Sequence, residues 1–270
     1  MTDKLRIAEM TSAEAKEHLT EAAVVLLPMG SLEDQGVHAP MGDYLGAECV
    51  ALDIARKARD YGVPTFVAPS VPFGGRDCFQ SSLGGITLSQ GTLAAVIDDM
   101  VWSLTRHGLK KILIINGHGG NVTAIDQVTA RWRQEAGVII PSFYLWKAAY
   151  GLLIEMFGAD GAAERSGHGG DPLTSIGLHY YPEILRPDLI TDPAPTDLTF
   201  MGLPVESFNE VSYGGAPIQM PIDAVEAAPH GIRGGHPKFA AAETGKALSE
   251  RLSEIGAGLI RDHIAKGFPG

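Results

Sequence analysis

The sequence predicts an α/β fold in which strands and helices alternate along the chain and pack in layers. Runs of strand length, apolar over most of their residues, lie at positions 24–29 and 110–115 and are separated by longer segments of helical periodicity. Glycine and polar residues follow directly after both runs. Open α/β sheets place their ligands at the carboxyl ends of their strands, so we expect the functional side chains there.

The predicted elements alternate after a short leading helix. Thr11 and Glu14 have the spacing of a capping box and predict that helix. Residues 182–219 are rich in Pro and Asp and poor in periodicity, so we expect a long excursion there, suited to contact with another subunit. Strands are predicted at residues 24–29, 65–69, 110–115 and 137–146, and longer helices at residues 45–61, 89–107 and 238–264.

Length and composition indicate one globular domain over residues 1–270. A chain of 270 residues can bury a substantial core, and its 45% hydrophobic and 20% charged content is typical of globular proteins. The net charge of -11 argues against binding to nucleic-acid backbones or anionic membranes, because it leaves no clustered basic surface. We therefore expect neither nucleic acid nor a membrane among the partners.

The amino terminus and the cysteines favour a cytoplasmic protein. The first residues lack the apolar segment of a signal peptide, and no run approaches the roughly 18 apolar residues of a membrane span. Cys49 and Cys78 have no paired CxxC spacing, which argues against a disulfide framework and a thiolate zinc site. Each is expected to be a small buried or half-buried side chain.

A polar loop follows the first strand and suggests a metal site. Glu33, Gln35, His38 and Asp43 offer three hard oxygen ligands and one imidazole within a short stretch. Carboxylates crowded in this way repel one another unless solvent or a cation stabilises them. The alternative is a solvated polar loop, because Asp and Glu after a strand are also common turn and N-cap residues.

A second candidate site residue, His118, lies in the run N-G-H-G-G-N at residues 116–121, directly after the strongest predicted strand. The glycines have no side chains to cover this imidazole, but they allow backbone to approach a bound group closely. Metal ligation by His118 is one interpretation, and a phosphate cradle before a helix is the alternative. The spacing does not fit GxGxxG, and no Walker lysine follows. Asn121 is predicted to cap the next helix.

Residues 166–171 repeat the arrangement of a histidine among glycines. His168 and Asp171 are the candidate functional side chains of this stretch. The alternative interpretation of His168 is an ordinary surface or core histidine.

A glycine-rich stretch at residues 72–88 follows the second predicted strand, where loops are often functional. Arg76 and Phe79 in this stretch, and Trp146 further along the chain, are candidate substrate contacts. A surface ion pair between Arg76 and Asp77 is the alternative for the arginine.

Taken together, these motifs resemble those of the creatininase (creatinine amidohydrolase) family. The resemblance extends from residue 28 to residue 245 and implies a three-layer α/β/α fold with a mostly parallel sheet, and a homo-hexamer. The match in the first loop rests on Pro28, Gly30, Ser31, Glu33, Gly36, His38, Pro40 and Asp43. The second hallmark is the N-G-H-G-G-N run at residues 116–121.

The resemblance also implies roles for the site residues. The family binds a pair of divalent metals, so Glu33, Asp43, His118 and Asp171 become candidate ligands, with Asp43 as the bridge. His168 corresponds to the family's proton shuttle and, with Asp171, is a candidate catalytic residue.

The main departure from the family pattern is at one ligand position. Gln35 stands where the family has a ligating His, and either Gln35 or His38 would complete the second site. We expect one or two ions per chain, Zn²⁺ before Mn²⁺ or Fe²⁺.

The function expected from these features is metal-dependent hydrolysis of a C–N bond in a small non-peptide amide, either a cyclic amide or a formamide. A bound metal makes hydroxide available near neutral pH. The alternative is a non-catalytic member of the same fold that binds a metal or a ligand.

Overall fold

The computed structural model describes residues 2–75, 82–190 and 197–267. Its central sheet has four parallel strands in the order β2-β1-β3-β4. The strands are β1 (Val24–Met29), β2 (Thr65–Val67), β3 (Lys111–Asn116) and β4 (Ser142–Tyr144). All six residues of β1 are buried, as its continuous apolar run predicts for a strand covered on both faces.

Helices connect and cover the strands. Thr11 and Glu14 form the predicted capping box, and the side chain of Ser89 accepts a hydrogen bond from the backbone N–H of Thr92. The helices are α1 (Ser12–His18), α2 (Tyr44–Asp60), α3 (Gln90–Thr105), α4 (Val122–Ala136), α5 (Leu145–Arg165), α6 (Leu173–Tyr180), α7 (Ala224–Ala227) and α8 (Ala242–Leu259). Across the described residues, no helix is both long and apolar enough to span a membrane.

The sheet divides the core into two apolar layers. Val24 and Leu26 face one side, where they pack with buried residues of α2, α5, α6 and α8. Val25 and Leu27 face the other side, with α3 and α4. This alternation follows from the two-residue period of a strand. The predicted three-layer α/β/α architecture is confirmed.

The segment predicted as an excursion of poor periodicity contains a separate four-stranded antiparallel sheet, which we call the β-module (residues 199–219). Its strands are β6 (Thr199–Phe200), β7 (Leu203–Ser207), β8 (Glu210–Tyr213) and β9 (Ala216–Gln219). They are short, and Pro204 and Pro217 interrupt the apolar pattern, which explains why the sequence did not predict them. The β-module has its own small core, which includes Val205 and Val211.

A third pairing lies beside the candidate site. Two short strands, β5 (Gly167–His168) and β10 (Arg233–Gly234), are antiparallel. A Cβ atom on Gly167 would lie 1.9 Å from the carbonyl oxygen of Arg233, so only glycine permits this approach. The pairing fixes the stretch that carries His168.

The largest differences between predicted and observed element bounds lie in one strand and in the final helix. The strand predicted at residues 137–146 covers only Ser142–Tyr144, because α5 begins at Leu145. The final helix begins at Ala242 rather than at residue 238, since Pro237–Phe239 forms a separate 3₁₀ turn.

Candidate metal centre and active site

The register of the central sheet brings the two predicted metal loops together. Met29 and Asn116, the last residues of β1 and β3, are direct partners in the parallel pair. The loop after β1 carries Glu33 and leads to Asp43 at the start of α2, and the residues after β3 include His118. Adjacent strand ends therefore direct these three side chains into the same region.

Glu33, Asp43 and His118 form a buried cluster, which we call the ligand cluster. One potential metal-binding atom from each residue lies within 4.8 Å of the other two. The Nδ1 atom of His118 is 3.1 Å from Oδ2 of Asp43 and 3.2 Å from Oε1 of Glu33. The three residues are 4%, 2% and 7% exposed, so water does not screen their charges effectively.

Asp43 is held by the end of the first strand. The backbone N–H and the hydroxyl of Ser31 both donate to its carboxylate, the hydroxyl over 2.9 Å. Asp43 occupies the N-cap position of α2, yet its side chain makes no cap hydrogen bond. A Cβ atom on Gly30 would lie 2.3 Å from Oδ1 of Asp43, so Gly30 leaves room for the carboxylate. The side chain is therefore oriented into the ligand cluster rather than onto its own helix.

The imidazole of His118 is enclosed by glycine backbone. A Cβ atom on Gly120 would lie 2.5 Å from its Nε2 atom, and one on Gly74 would lie 2.8 Å from its Cδ2 atom. The side chain of Asn116 accepts a hydrogen bond from the N–H of His118 and donates to its carbonyl. The Nε2 atom of His118 is buried without a hydrogen-bond partner. The glycines thus approach the histidine itself, closely enough to fix its ring.

The charges of the ligand cluster are mutually dependent. Burial on its own would lower the pKa of His118, but Glu33 and Asp43 hold that pKa well above its ordinary value. Burial opposes ionisation of Glu33, but His118 and His168 keep its pKa low, whereas burial raises the pKa of Asp43. Two buried carboxylates therefore require a positive charge, which a protonated His118 supplies in the protein alone.

The donor set fits a divalent metal ion. Two carboxylates and one imidazole are ligands that Zn²⁺ and Mn²⁺ accept, and a metal ion can replace the proton that His118 carries. The structure thus provides a candidate metal-binding triad in Glu33, Asp43 and His118.

Gln35 and His168 contact the ligand cluster through Glu33. The amide nitrogen of Gln35 donates to Oε1 of Glu33 over 3.1 Å, and Nε2 of His168 lies 3.2 Å from the same oxygen. The Nδ1 atom of His168 is 2.7 Å from the carbonyl oxygen of Gly231, which can only accept. Burial would lower the pKa of His168, but its two acceptor partners raise that pKa overall.

The structure does not bring Asp171 or His38 into the ligand cluster. Asp171 is fully buried and accepts hydrogen bonds from Nε of Arg165, over 2.8 Å, and from the hydroxyl of Ser175. The Nε2 atom of His38 lies 3.1 Å from the hydroxyl oxygen of Thr174. Both side chains, predicted from the sequence as metal ligands, are thus engaged elsewhere.

The predicted cap role of Asn121 is wrong. Its side chain makes no cap hydrogen bond, because the residue ends a 3₁₀ turn and has helical backbone angles rather than extended ones. Instead the side-chain carbonyl oxygen of Asn121 accepts a hydrogen bond from the N–H of Gly75. Its side-chain amide nitrogen donates one to the carbonyl oxygen of Gly30. Asn121 joins three loops around His118.

A cavity of about 270 Å³ opens beside the ligand cluster. Trp146, a predicted substrate contact, lies in its wall and donates from Nε1 to the carbonyl oxygen of Gly117. Arg76 and Phe79, the other predicted substrate contacts, lie outside the described residues. The remaining lining includes Gln35, Tyr144, Tyr150, His168, Pro172, Leu173 and Phe208.

Tyr144 and Phe208 are among the lining residues that were not predicted from the sequence. Tyr144 ends β4, and its place near the carboxyl end of the strand predicted at residues 137–146 could have indicated it, since strand ends carry functional side chains. Phe208 belongs to the β-module, far along the chain from the metal loops, and no local pattern indicates it.

Comparison with known proteins supports the resemblance that the motifs suggested. The creatininase family model, described as creatinine amidohydrolase, matches residues 8–260. The chain is 25% identical over 210 residues to a creatinine amidohydrolase of Pseudomonas putida, a match that covers 72% of this chain and 79% of that protein. It is 27% identical over 176 residues to a mycofactocin precursor peptide peptidase of Mycobacterium ulcerans (strain Agy99), covering 62% of each chain.

Solved creatininases share the fold. A structure described as "Creatininase Mn" has a TM-score of 0.74 at 24% identity and covers 96% of this chain and 98% of its own. A mutant creatininase of "Zn-Zn type" also has a TM-score of 0.74 at 24% identity and covers 97% and 98%. These structures confirm the predicted fold, and the family model extends over nearly all of the sequence. The chain therefore belongs to the creatininase family, a family of amidohydrolases.

Proposed function

We propose that this protein is a metal-dependent amidohydrolase that cleaves a C–N bond of a small non-peptide amide. The observation that carries this proposal is the convergence of Glu33, Asp43 and His118 beside an imidazole, that of His168, in one cavity. The cavity volume of about 270 Å³ is just below the usual range for ligand pockets, roughly 300–1,000 Å³, and suits a compact group at the ligand cluster.

The ligand cluster would hold one divalent ion, Zn²⁺ or Mn²⁺. Three protein ligands with an open position are typical of catalytic zinc sites. Gln35 uses its amide nitrogen to donate to Glu33, so its present orientation supports that ligand rather than a second metal. When bound, the ion would lower the pKa of a water molecule and polarise a substrate carbonyl.

His168 is the candidate proton donor to the leaving nitrogen. Gly231 accepts from its Nδ1 atom, which leaves Nε2 oriented toward the ligand cluster. The raised pKa of His168 favours the imidazolium form, which can transfer its Nε2 proton when the C–N bond breaks. A neutral amine or amide then leaves in place of an unstable anion.

The cavity wall suits a neutral amide. Its described lining combines the aromatic side chains of Tyr144, Trp146 and Tyr150 with two carboxylates, and it includes no Lys or Arg among those residues. A neutral amide can pack against the aromatic faces. Burial raises the pKa of Tyr144, so its hydroxyl stays neutral and can donate a hydrogen bond.

The test is amide hydrolysis by protein reconstituted with Zn²⁺ or Mn²⁺, measured over a panel of cyclic amides, formamides and short peptides. Glu33→Gln is expected to reduce turnover by at least about 100-fold, because it removes a charged ligand. Glu17→Gln, at an exposed position of α1, is the matched control and should leave turnover unchanged. Metal binding without turnover of any amide would favour the non-catalytic alternative. The expected hexameric assembly, single-domain organisation and cytoplasmic location stay predictions.

A further inference from the structure

We infer that Phe208 is a specificity-determining residue that limits the size of the group on the leaving nitrogen, and that Arg233 is the positioning residue that keeps it in place. This inference rests on the proposed function, since it assigns the leaving-group side of the same cavity. The β-module would then be a functional part of the site.

The rings of Phe208 and His168 are in contact. Phe208 and His168 both line the cavity, and their ring centroids are 5.3 Å apart at an interplanar angle of 71°. This is an edge-to-face arrangement, which stabilises the orientation of both rings. The phenyl ring therefore occupies space directly beside the candidate proton donor.

A turn of the β-module carries Phe208. The residue lies between β7 and β8, and the hydroxyl oxygen of Ser207 lies 3.2 and 3.1 Å from side-chain oxygens of Asn209 and Glu210, its two possible acceptors. The carbonyl oxygen of Asn209 also accepts from the N–H of Met220 over 2.8 Å. Phe208 packs against the apolar core of the β-module as well. These contacts make it a fixed wall rather than a freely moving side chain.

Arg233 connects the β-module to the strand that carries His168. Arg233 is the direct partner of His168 in the pair of β5 and β10. Its guanidinium donates to the carbonyl oxygens of Ala227 and Val205, over 2.8 and 3.0 Å. Val205 belongs to β7. Arg233 therefore joins the backbone of His168, the candidate proton donor, to the β7–β8 hairpin, whose turn contains Phe208.

The chemistry follows from this placement. A proton from His168 must reach the leaving nitrogen, so that nitrogen and its substituent lie on the His168 side of the cavity. Phe208 borders the same space, and a larger substituent there would overlap its ring. Loss of the ring should therefore relax discrimination against bulky leaving groups, by about tenfold or more.

The test compares acetamide with N-methylacetamide and N-benzylacetamide on zinc-loaded protein. Phe208→Ala should raise kcat/KM for the benzyl compound relative to acetamide by about tenfold, with zinc content unchanged. Tyr213→Ala is the control, because this β8 residue is 69% exposed and does not line the cavity. An unchanged ratio in Phe208→Ala, or an equal shift in Tyr213→Ala, would overturn the assignment.

Arg233 is tested through Phe208. Arg233→Gln should shift the same ratio in the same direction, Arg233→Lys should shift it less, and Phe208→Ala combined with Arg233→Gln should shift it no more than Phe208→Ala alone. Additive effects would show that Arg233 does not act through Phe208.

Calorimetric binding of the same three amides separates this inference from the proposed function. If wild-type protein binds them but hydrolyses neither these nor the other amides of the panel, the hydrolase proposal fails, and the ratio of binding affinities for the benzyl compound and acetamide decides the role of Phe208. If wild-type protein neither binds nor hydrolyses any of the three, the assignment of Phe208 fails, and the hydrolase proposal fails with it only if no other amide of the panel is hydrolysed.

Discussion

The Nε2 atom of His168 lies 3.2 Å from Oε1 of Glu33, so the candidate proton donor and a candidate metal ligand meet at one oxygen atom. The same oxygen accepts from the amide of Gln35, and His118 lies at a similar distance. Changes at any of these residues should therefore affect metal binding and proton transfer together. Changes at the residues that support this group should affect metal binding and proton transfer separately.

Ser31 supports Asp43 but is not part of the ligand cluster. Ser31→Ala removes the 2.9 Å hydrogen bond to the Asp43 carboxylate and should weaken zinc affinity by roughly 10-fold, because residues that orient a ligand have effects of this size. Competition with a chelator measures the affinity. Ser70→Ala is the matched control, since Ser70 donates to Glu48 and not to the ligand cluster. Equal affinity in wild type and Ser31→Ala would show that the backbone N–H alone holds Asp43.

Gln35 keeps a neutral group beside a buried carboxylate. Gln35→Glu would place a second negative charge about 3.1 Å from Glu33 and should destabilise the metal-free protein by about 1–3 kcal/mol. Zinc should then raise the Tm of this variant more than that of wild type, because the metal relieves the repulsion. Thermal unfolding with and without zinc measures both effects.

The control for that experiment is Gln127→Glu, which makes the same charge change at an exposed position of α4. A zinc-dependent Tm shift no larger in Gln35→Glu than in Gln127→Glu would contradict the placement of Gln35 beside a metal site.

Asp171 distinguishes a structural role from metal ligation. Asp171→Asn leaves Arg165 buried without its charged partner and should lower the free energy of unfolding by about 3 kcal/mol, while zinc content stays at the wild-type value. Denaturant unfolding and elemental analysis provide the two readouts. Asp188→Asn breaks an exposed pair with Arg186 and should change neither. Loss of zinc from Asp171→Asn would restore the sequence-based prediction that Asp171 is a ligand.

Cys49 should be chemically inert near neutral pH. Burial, with the nearby carboxylates of Glu48 and Asp53, raises the pKa of this thiol to about 11. At pH 8 only about one molecule in a thousand carries the reactive thiolate, so alkylation should be slow and should accelerate as the pH approaches 11. Mass spectrometry of the Cys49 peptide after iodoacetamide treatment measures the rate, with denatured protein as the control. Rapid alkylation of the folded protein at pH 8 would contradict this environment.

The sequence predicted the features that local chemistry determines. The apolar run of β1 and the capping box at Thr11 each depend on residues close together in the chain. The grouping of Glu33, Asp43 and His118 could also be predicted from the sequence. Each residue follows a strand end, and parallel strands bring those ends to one edge of the sheet.

The features that the sequence did not predict depend on long-range contacts. The carboxylate of Asp171 could bind a metal or an arginine, and only the folded position of Arg165 decides between them. Phe208 reaches the cavity through the β-module, whose short strands carry little periodicity. Arg233 connects the β-module to the strand that carries His168, but its guanidinium bonds to backbone carbonyls that no sequence motif identifies.

The most direct test of this account is the metal content of protein purified without chelators, for wild type and His118→Asn. We expect about one equivalent of zinc or manganese per wild-type chain, because the part of the chain that the structure describes contains one such triad of ligands. His118→Asn should lose most of that metal, since the imidazole lies within 3.2 Å of both carboxylates. A wild-type chain that stays metal-free after incubation with zinc and manganese, or full retention of metal by His118→Asn, would contradict the assignment of this metal centre.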